Sequence, residues 1–439
     1  MKLRRLILQQ LQKALPPPVY ETHPHLLRPG EITPGISAQE YADRRAKLAA
    51  SLPPNGIAIL ASSHTKYRSG AVFYEFHQEP NFLYLTGFIE PDAVAVIKRE
   101  GIAAEYTFHL FLRPKDPRAE QWEGARSGEQ AALDVFNADK VRHHDIFEQV
   151  LIKVVGRRQP PAYLTSPSNI RGHKVKPLKP LMHELRITKS EAEIANMRLA
   201  GKFSGRAISN AMRRQWTKEK DLWAFLDYDF KANGCDTTAY IPVIAGGQNA
   251  LSIHYVRNND VLQDSQLVLA DAGGEYGGYI ADITRSWPIN GRFTDAQKDL
   301  YEAILRVQRS SVSLCRESAN MTLDRIHQVT EQGLKDALKD LGFDMKSDTM
   351  DILFPHHVGH YIGLDVHDCP GYSRSVPLKA GHCVTVEPGI YVPDDERWPT
   401  NFRGMGIRIE DSVCVQHDSP LILTTEAVKE VVDIEALRN

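Results

Sequence analysis

Apolar residues in the first third of the chain fall in short blocks bounded by turn-forming residues. Four blocks, 56–61 (GIAILA), 81–88 (NFLYLTGF), 93–98 (AVAVIK) and 107–112 (TFHLFL), have the length and composition of buried strands. Helix-like spacing occupies 38–51 and 129–139. The alternation predicts a smaller α/β domain. The segment 156–180 (GRRQPPAYLTSPSNIRGHKVKPLKP) is rich in proline, glycine and basic residues, and part of it reads as an interdomain connection.

Near Leu181 the pattern changes. Thr188 with Glu191, and Ser190 with Glu193, both fit a capping box. A helix is expected to about 212, with Ile194, Met197, Ala200, Phe203 and Ala207 along one side. A second helix, 217–233, ends at Gly234, and strand-like runs follow around 239–245, 266–271 and 279–287. The order then repeats. Thr294 and Gln297 open a helix to about 318, Thr322 starts another that ends at Gly342, and strand-like runs return near 357–364, 382–387 and 407–415. Helices before strands, twice over, predict an α+β domain built from a duplicated helix–strand unit. The predicted organisation is a terminal segment 1–21, an α/β domain over 22–180 and an α+β domain over 181–439.

Composition narrows the class. A chain of 439 residues is long for one core, and 42% hydrophobic with 25% charged residues is ordinary globular usage. A net charge of −2 gives no reason to expect a nucleic acid partner, and no apolar run is long enough for a membrane span. The five cysteines are scattered without a CxxC pair, which argues against a disulfide framework or a thiolate zinc site. The start, MKLRRLILQQLQKALPPPVY, carries Lys2, Arg4, Arg5 and Lys13 and no acid before Glu21, while Leu6, Ile7, Leu11 and Leu15 can share a helical face. A basic, acid-free amphipathic start has the form of a mitochondrial targeting segment; an ordinary terminal helix is the alternative, with a cytoplasmic location.

The chemistry concentrates in five short segments, LVLADAGG, YIADITRSW, HHVGHYIGLDVHD, VTVEPGIY and GIRIEDSV, which carry Asp271, Asp282, His360, Glu387 and Glu410. Asp271 and Asp282 flank a glycine-rich connection, and a hairpin there would turn both carboxylates to one face. Two facing acids repel, and a bound dication removes that cost. The stretch PHHVGH is not the HExxH helix of zinc peptidases: His357 stands at the glutamate position, and Pro355, Gly359 and Gly363 disfavour a helix. In IRIED, alternation puts Arg408 and Glu410 on one face, so a plain ion pair is the competing explanation there. Taken together, four carboxylates and one imidazole suit two oxygen-loving divalent ions, Mn, Co, Fe or Zn, at the spacing of two-metal hydrolases.

These segments, with HYVR at 254–257, resemble the pita-bread metallopeptidases, and among them the Xaa-Pro aminopeptidases (aminopeptidase P). The resemblance extends to THPHLLRPGEITPG at 22–35, YEFHQEPNFLYLTGFIEPD at 74–92 and FLRPKDPRAEQWEGARSG at 111–128, a pattern similar to the mitochondrial branch that includes the intermediate-cleaving peptidases. It implies two metal ions, most commonly Mn. Asp271 would chelate one ion, Asp282 and Glu410 would bridge both, and His360 and Glu387 would complete the other. It implies substrate-side roles for His254 and His367, the latter at the scissile carbonyl, a pocket-lining place for His356, and a place for Arg408 beside the metals and substrate. Glu387 would shuttle a proton to the leaving nitrogen. Each position holds the residue type of the family.

The activity implied is hydrolysis of the first peptide bond at a free N-terminus. Two substrate classes come with it: X-Pro peptides, and mitochondrial proteins that lose one bulky N-terminal residue. The family also implies a homodimer. A methionine aminopeptidase is disfavoured by the long N-terminal domain, and a creatinase-like enzyme by the complete acid set. A prolidase-like dipeptidase shares the ligands, and a metal-free binding module of the same fold is the non-enzymatic alternative.

Overall fold

The computed structural model of the chain describes residues 17–102, 105–147, 162–164 and 175–438. The basic amphipathic stretch and most of the proline-rich 156–180 segment lie outside them. The chain divides into two compact units, Met1–Arg186 and Ile187–Asn439. The division falls a few residues after Leu181, because the helix Lys179–Arg186 belongs with the first unit. There Arg186 Nη1 donates to Asn81 Oδ1 at 2.7 Å, and the Tyr84 hydroxyl donates to Leu185 O at 3.0 Å.

The first unit is built on a six-stranded mixed sheet, ordered Val175–Pro177, Ala162–Leu164, Ile57–Ala61, Val94–Glu100, Glu105–Leu112 and Lys140–His143. Its three central strands are antiparallel and its outer pairings parallel. Two pieces of the expected connection, 162–164 and 175–177, are thus strands of this sheet. The block 81–88 is not a strand but the helix Pro80–Thr86. Glu79 caps it, accepting from Phe82 N at 2.6 Å, Pro80 occupies its first turn, and Gly87 ends it with φ +66°. All residues from Asn81 to Thr86 are buried, so no amphipathic period marked the helix in the sequence. The helix expected over 129–139 is the shorter Gly128–Asp134.

The second unit opens with helices Glu191–Met212 and Glu219–Asn233. Ser190 and Glu193 form the reciprocal capping box, while Thr188 bridges to His382 instead. The antiparallel strands Val243–Gly246, Leu267–Asp271 and Thr284–Pro288 follow. Helices Asp295–Ser313, with the Thr294–Gln297 capping box, and Leu323–Asp340, capped by Thr322, begin the second half. Its strands are Cys383–Val386, Asp411–Val415 and Pro420–Ile422 in one sheet, and the pair Gly389–Tyr391 and Gly406–Arg408. Both halves bury their helices in one core: Leu226 and Phe230 from the first pair, Leu300 and Ile304 from the second, with Trp287, Val384 and Ile407 from the strands. Each such burial stabilises by about 1.5–3 kcal/mol.

One expected strand, 357–364, does not form. The segment is a chain of turns with a single bridge, Tyr361 to Val384. Gly359 presses so close to Thr385 O that a Cβ there would overlap it, so the backbone passes at a distance no side chain tolerates.

Candidate active site

The acids reach one place from four strand ends. Asp271 ends the strand Leu267–Asp271, opposite Thr284 on one side and Val243 on the other. The chain between Asp271 and Asp282 does not run as one simple hairpin. It leaves that sheet, folds Gly274–Tyr276 against Tyr279–Ile280 through Gly277 and Gly278, both at positive φ, and returns, with Ala272 N donating to Ile283 O at 3.0 Å. Asp282 is thereby set one turn back from Thr284 and buried. The Tyr240 hydroxyl donates to Asp271 Oδ1 at 2.8 Å and to Asp282 Oδ1, tying the two carboxylates together. Glu387 follows the strand Cys383–Val386, and Glu410 precedes Asp411–Val415.

His360 completes the group. Its Nδ1–H donates to Tyr361 O at 3.0 Å, which turns Nε2 toward Asp282 Oδ2 at 3.4 Å and Glu387 Oε1 at 3.6 Å. Asp282, His360 and Glu410 each offer a ligand atom within 4.8 Å of the others. Glu410 is 1% exposed. Its Oε2 accepts from the Thr284 hydroxyl at 2.6 Å, and its Oε1 is buried without a partner.

Arg408 is fully enclosed, but it does not pair with Glu410. Its guanidinium donates to Asp271 Oδ2, to the Tyr391 hydroxyl at 2.7 Å and to Thr284 Oγ1 at 3.0 Å. The ion pair that would have given these two residues a purely structural reading is therefore not made. His254 and His367 line the same cavity of about 230 Å³ as Asp271, Asp282, His360, Glu387 and Glu410. The His367 ring stands edge-on to His360 with centroids 4.3 Å apart. His356 sits behind this cavity rather than on its lining: Nε2 accepts from the Tyr391 hydroxyl at 2.9 Å, and Nδ1 lies 3.8 Å from Glu387 Oε2.

The electrostatics are those of an acid-crowded pocket. Burial raises the Glu387 carboxyl to about 7, with the charges of Asp282 and Asp271 adding to it. Burial and the neighbouring acids push Glu410 well above the usual range. Burial also raises Asp271, against the pull of Arg408. For Asp282, burial is outweighed by His360 and Tyr240, and its carboxyl is lowered. Burial likewise opposes charge on His360, but Asp282 and Glu387 hold its imidazolium up to about 9. Four carboxylates face two side-chain cations, Arg408 and His360, so the pocket cannot keep all four ionised on its own. Two divalent ions fit this donor set: they neutralise the crowded carboxylates, displace the Nε2 proton of His360 and give Glu410 Oε1 a partner.

The partners that orient these ligands escaped the sequence reading. Thr284 lies two residues from Asp282, and Thr385 lies two from Glu387, whose Oε1 accepts its hydroxyl at 3.2 Å. Spacing by two puts such pairs on one face of a strand, and that was the available signal. Tyr240 and Tyr391 carried none, since a lone tyrosine near a strand is ordinary.

A family model described as metallopeptidase family M24 matches residues 195–417, and one for the aminopeptidase P N-terminal domain matches 41–163. The chain is 43% identical to Intermediate cleaving peptidase 55 of Saccharomyces cerevisiae, over 95% of this chain and 87% of that protein. It is 40% identical to Xaa-Pro aminopeptidase 3 of Homo sapiens, over 95% and 89%. The crystal structure of the yeast peptidase lacking 58 N-terminal residues matches with a TM-score of 0.88 at 42% identity, covering 93% of this chain and 99% of that one. With both domain families matched in order and relatives aligned nearly end to end, the chain belongs to metallopeptidase family M24 and is a metalloaminopeptidase of the aminopeptidase P type.

Proposed function

We propose that the chain hydrolyses the first peptide bond of peptides and proteins with a free N-terminus, using two divalent ions, manganese first among them. The ions would be held by Asp271, Asp282, His360, Glu387 and Glu410. The observation that carries this reading is Glu410, a buried carboxylate with one oxygen bonded and the other without a partner, in a cavity shared with three more carboxylates. Asp282 and Glu410 are the most deeply buried acids of the set, and Asp271, His360 and Glu387 line the same cavity. Ions held there would supply Lewis acidity and an ionised water at neutral pH.

The chain's own side chains do the rest. The acidic edge at Asp271 receives the substrate's α-amino group, which restricts cleavage to the first residue. His367 donates a hydrogen bond to the scissile carbonyl oxygen, where negative charge develops. His254, on the same cavity wall, holds the substrate chain. Glu387 carries the proton from the attacking water to the leaving nitrogen. Arg408 keeps Asp271 oriented, and His356 backs Glu387. When proline is second, the leaving nitrogen has no N–H, so its protonation decides the step.

Relatives named for Xaa-Pro and for intermediate cleavage suit two substrate classes for this chain: X-Pro peptides, and processed proteins that lose a single bulky residue. A mitochondrial location, in the matrix, goes with this reading, and the Arabidopsis thaliana relative is named as mitochondrial. A homodimer is the expected assembly. Among the described residues no helix is long and apolar enough to cross a membrane. The test is reconstitution of the metal-free protein with Mn, followed by profiling of X-Pro-Y peptides against Tyr-, Leu- and Phe-Ser-Y peptides. Release of the first residue with about two ions bound per chain supports the reading. Binding of no metal, or cleavage of dipeptides alone, overturns it.

A further inference from the structure

Lys189 and Asp368 form an ion pair, Nζ to Oδ2 3.0 Å, with both side chains 1% exposed. Lys189 stands on the segment that leads into the helix Glu191–Met212, and its main-chain N–H donates to Gly381 O at 2.8 Å. Asp368 closes the loop that runs from His360 to His367. Its N–H donates to Tyr361 O at 2.8 Å, and that closure sets the His367 ring beside the His360 ring.

Between these ends the loop has neither helix nor strand. Gly363 N donates to Asp365 O at 3.1 Å, and Gly363 O accepts from Ile280 N at 3.0 Å. The ion pair packs on Gly363 itself: a Cβ there would overlap Asp368 Oδ2 and lie 2.9 Å from Lys189 Cε. The chain thus omits a side chain where the pair must fit.

Burying two charges is costly, and well-packed apolar residues of similar size stabilise a fold as well or better. What an ion pair adds is one fixed geometry. Here it joins an anchored segment to the residue next to His367, and His367 lies on the cavity of the acid cluster.

We propose that Lys189 is a positioning residue for the hydrolysis: through Asp368 it fixes where His367 stands relative to His360, and so where the scissile carbonyl oxygen finds its donor. The inference rests on the role given to His367 above.

The full-length, Mn-loaded protein is assayed with Leu-Pro-Ala. Lys189→Met alone leaves a buried carboxylate without its cation, so the informative variant is Lys189→Met combined with Asp368→Leu, which restores an apolar fit. This double variant is expected to keep the melting temperature and metal content of the parent. Its kcat should fall at least tenfold, with KM changed less than threefold. Placed in a His367→Ala background, the same pair of changes should cost less than a further twofold.

Parental kcat in the double variant would show the pair to be a stability element and overturn the proposal. Losses that multiply with His367→Ala would overturn it too, because the pair would then act by another route. Parental kcat in His367→Ala alone removes the role of His367, and this proposal with it. Should the double variant fail to fold, a second apolar pair, Lys189→Leu with Asp368→Ala, carries the same expectations.

Discussion

The Thr284 hydroxyl donates to Glu410 Oε2 at 2.6 Å, while the other oxygen of that carboxylate is buried without a partner. Thr284 also accepts from Arg408 Nε at 3.0 Å, so one hydroxyl orients both a buried acid and the guanidinium that restrains Asp271. Thr284→Val keeps the side-chain shape and removes both bonds. Such a change beside metal ligands typically costs about 10–100-fold in metal affinity or activity. Mn titration and kcat measurements should show a loss of that size, with Thr284→Ser close to the parent.

Metal removal should change the stability of the fold as well as its activity. In the metal-free protein Glu387 is raised to about 7 and Glu410 well above the usual carboxylate range, so the folded state holds protons that the unfolded state has released above about 4.5. The sign follows: stability falls as pH rises from about 4.5 through 7, by up to about 1.4 kcal/mol per pH unit per group. The gap between melting curves with chelator and with saturating Mn should widen by this amount as pH rises through that window. Glu410→Gln should raise the melting temperature of the metal-free protein and abolish turnover.

The Mn-loaded protein should show the opposite slope at acid pH. His109, in the first unit, and His382, in the second, are both lowered to about 4 by burial, aided by Lys140 and Lys189 respectively. The unfolded chain takes up those protons near pH 6.5, so stability is lost as pH falls from 6.5 toward 4. Denaturant titrations across that window should flatten in His109→Gln for the first unit and His382→Gln for the second.

Two glycines should respond very differently to alanine. Gly359→Ala drives a Cβ into the Thr385 main-chain oxygen, next to the bond from Thr385 N to His360 O, and should cost about 4 kcal/mol or more. Gly101 has φ +58° and open space around it, so Gly101→Ala should cost only about 1 kcal/mol. Urea melts of the two variants separate these outcomes.

Much of the fold was legible because local chemistry and tertiary packing agree. The Ser190–Glu193 and Thr294–Gln297 boxes start the helices they announce, and Gly234 ends one. The strands at 57–61, 94–100 and 105–112 match their β-rich apolar runs. The helix Pro80–Thr86 was hidden because every face is buried and the run is no longer than a strand. The segment 357–364 misled for another reason: its apolar residues pack in a turn-rich path set by Gly359, Gly363 and the Asp368 closure, none of which has a period. At the site, residue types marked the five acid and imidazole positions. The hydroxyls of Tyr240, Thr284, Thr385 and Tyr391 were not marked, because their function lies wholly in what they touch.

The five cysteines, Cys235, Cys315, Cys369, Cys383 and Cys414, are all buried, free and confined to the second unit. Buried thiols are chemically silent, and they react once solvent reaches them. The protein therefore carries a native reporter that watches one unit alone. Thiol labelling with time in denaturant follows the opening of the metallopeptidase unit and is blind to the first; set beside circular dichroism, which sees both, it gives the order in which the two units unfold without adding a probe.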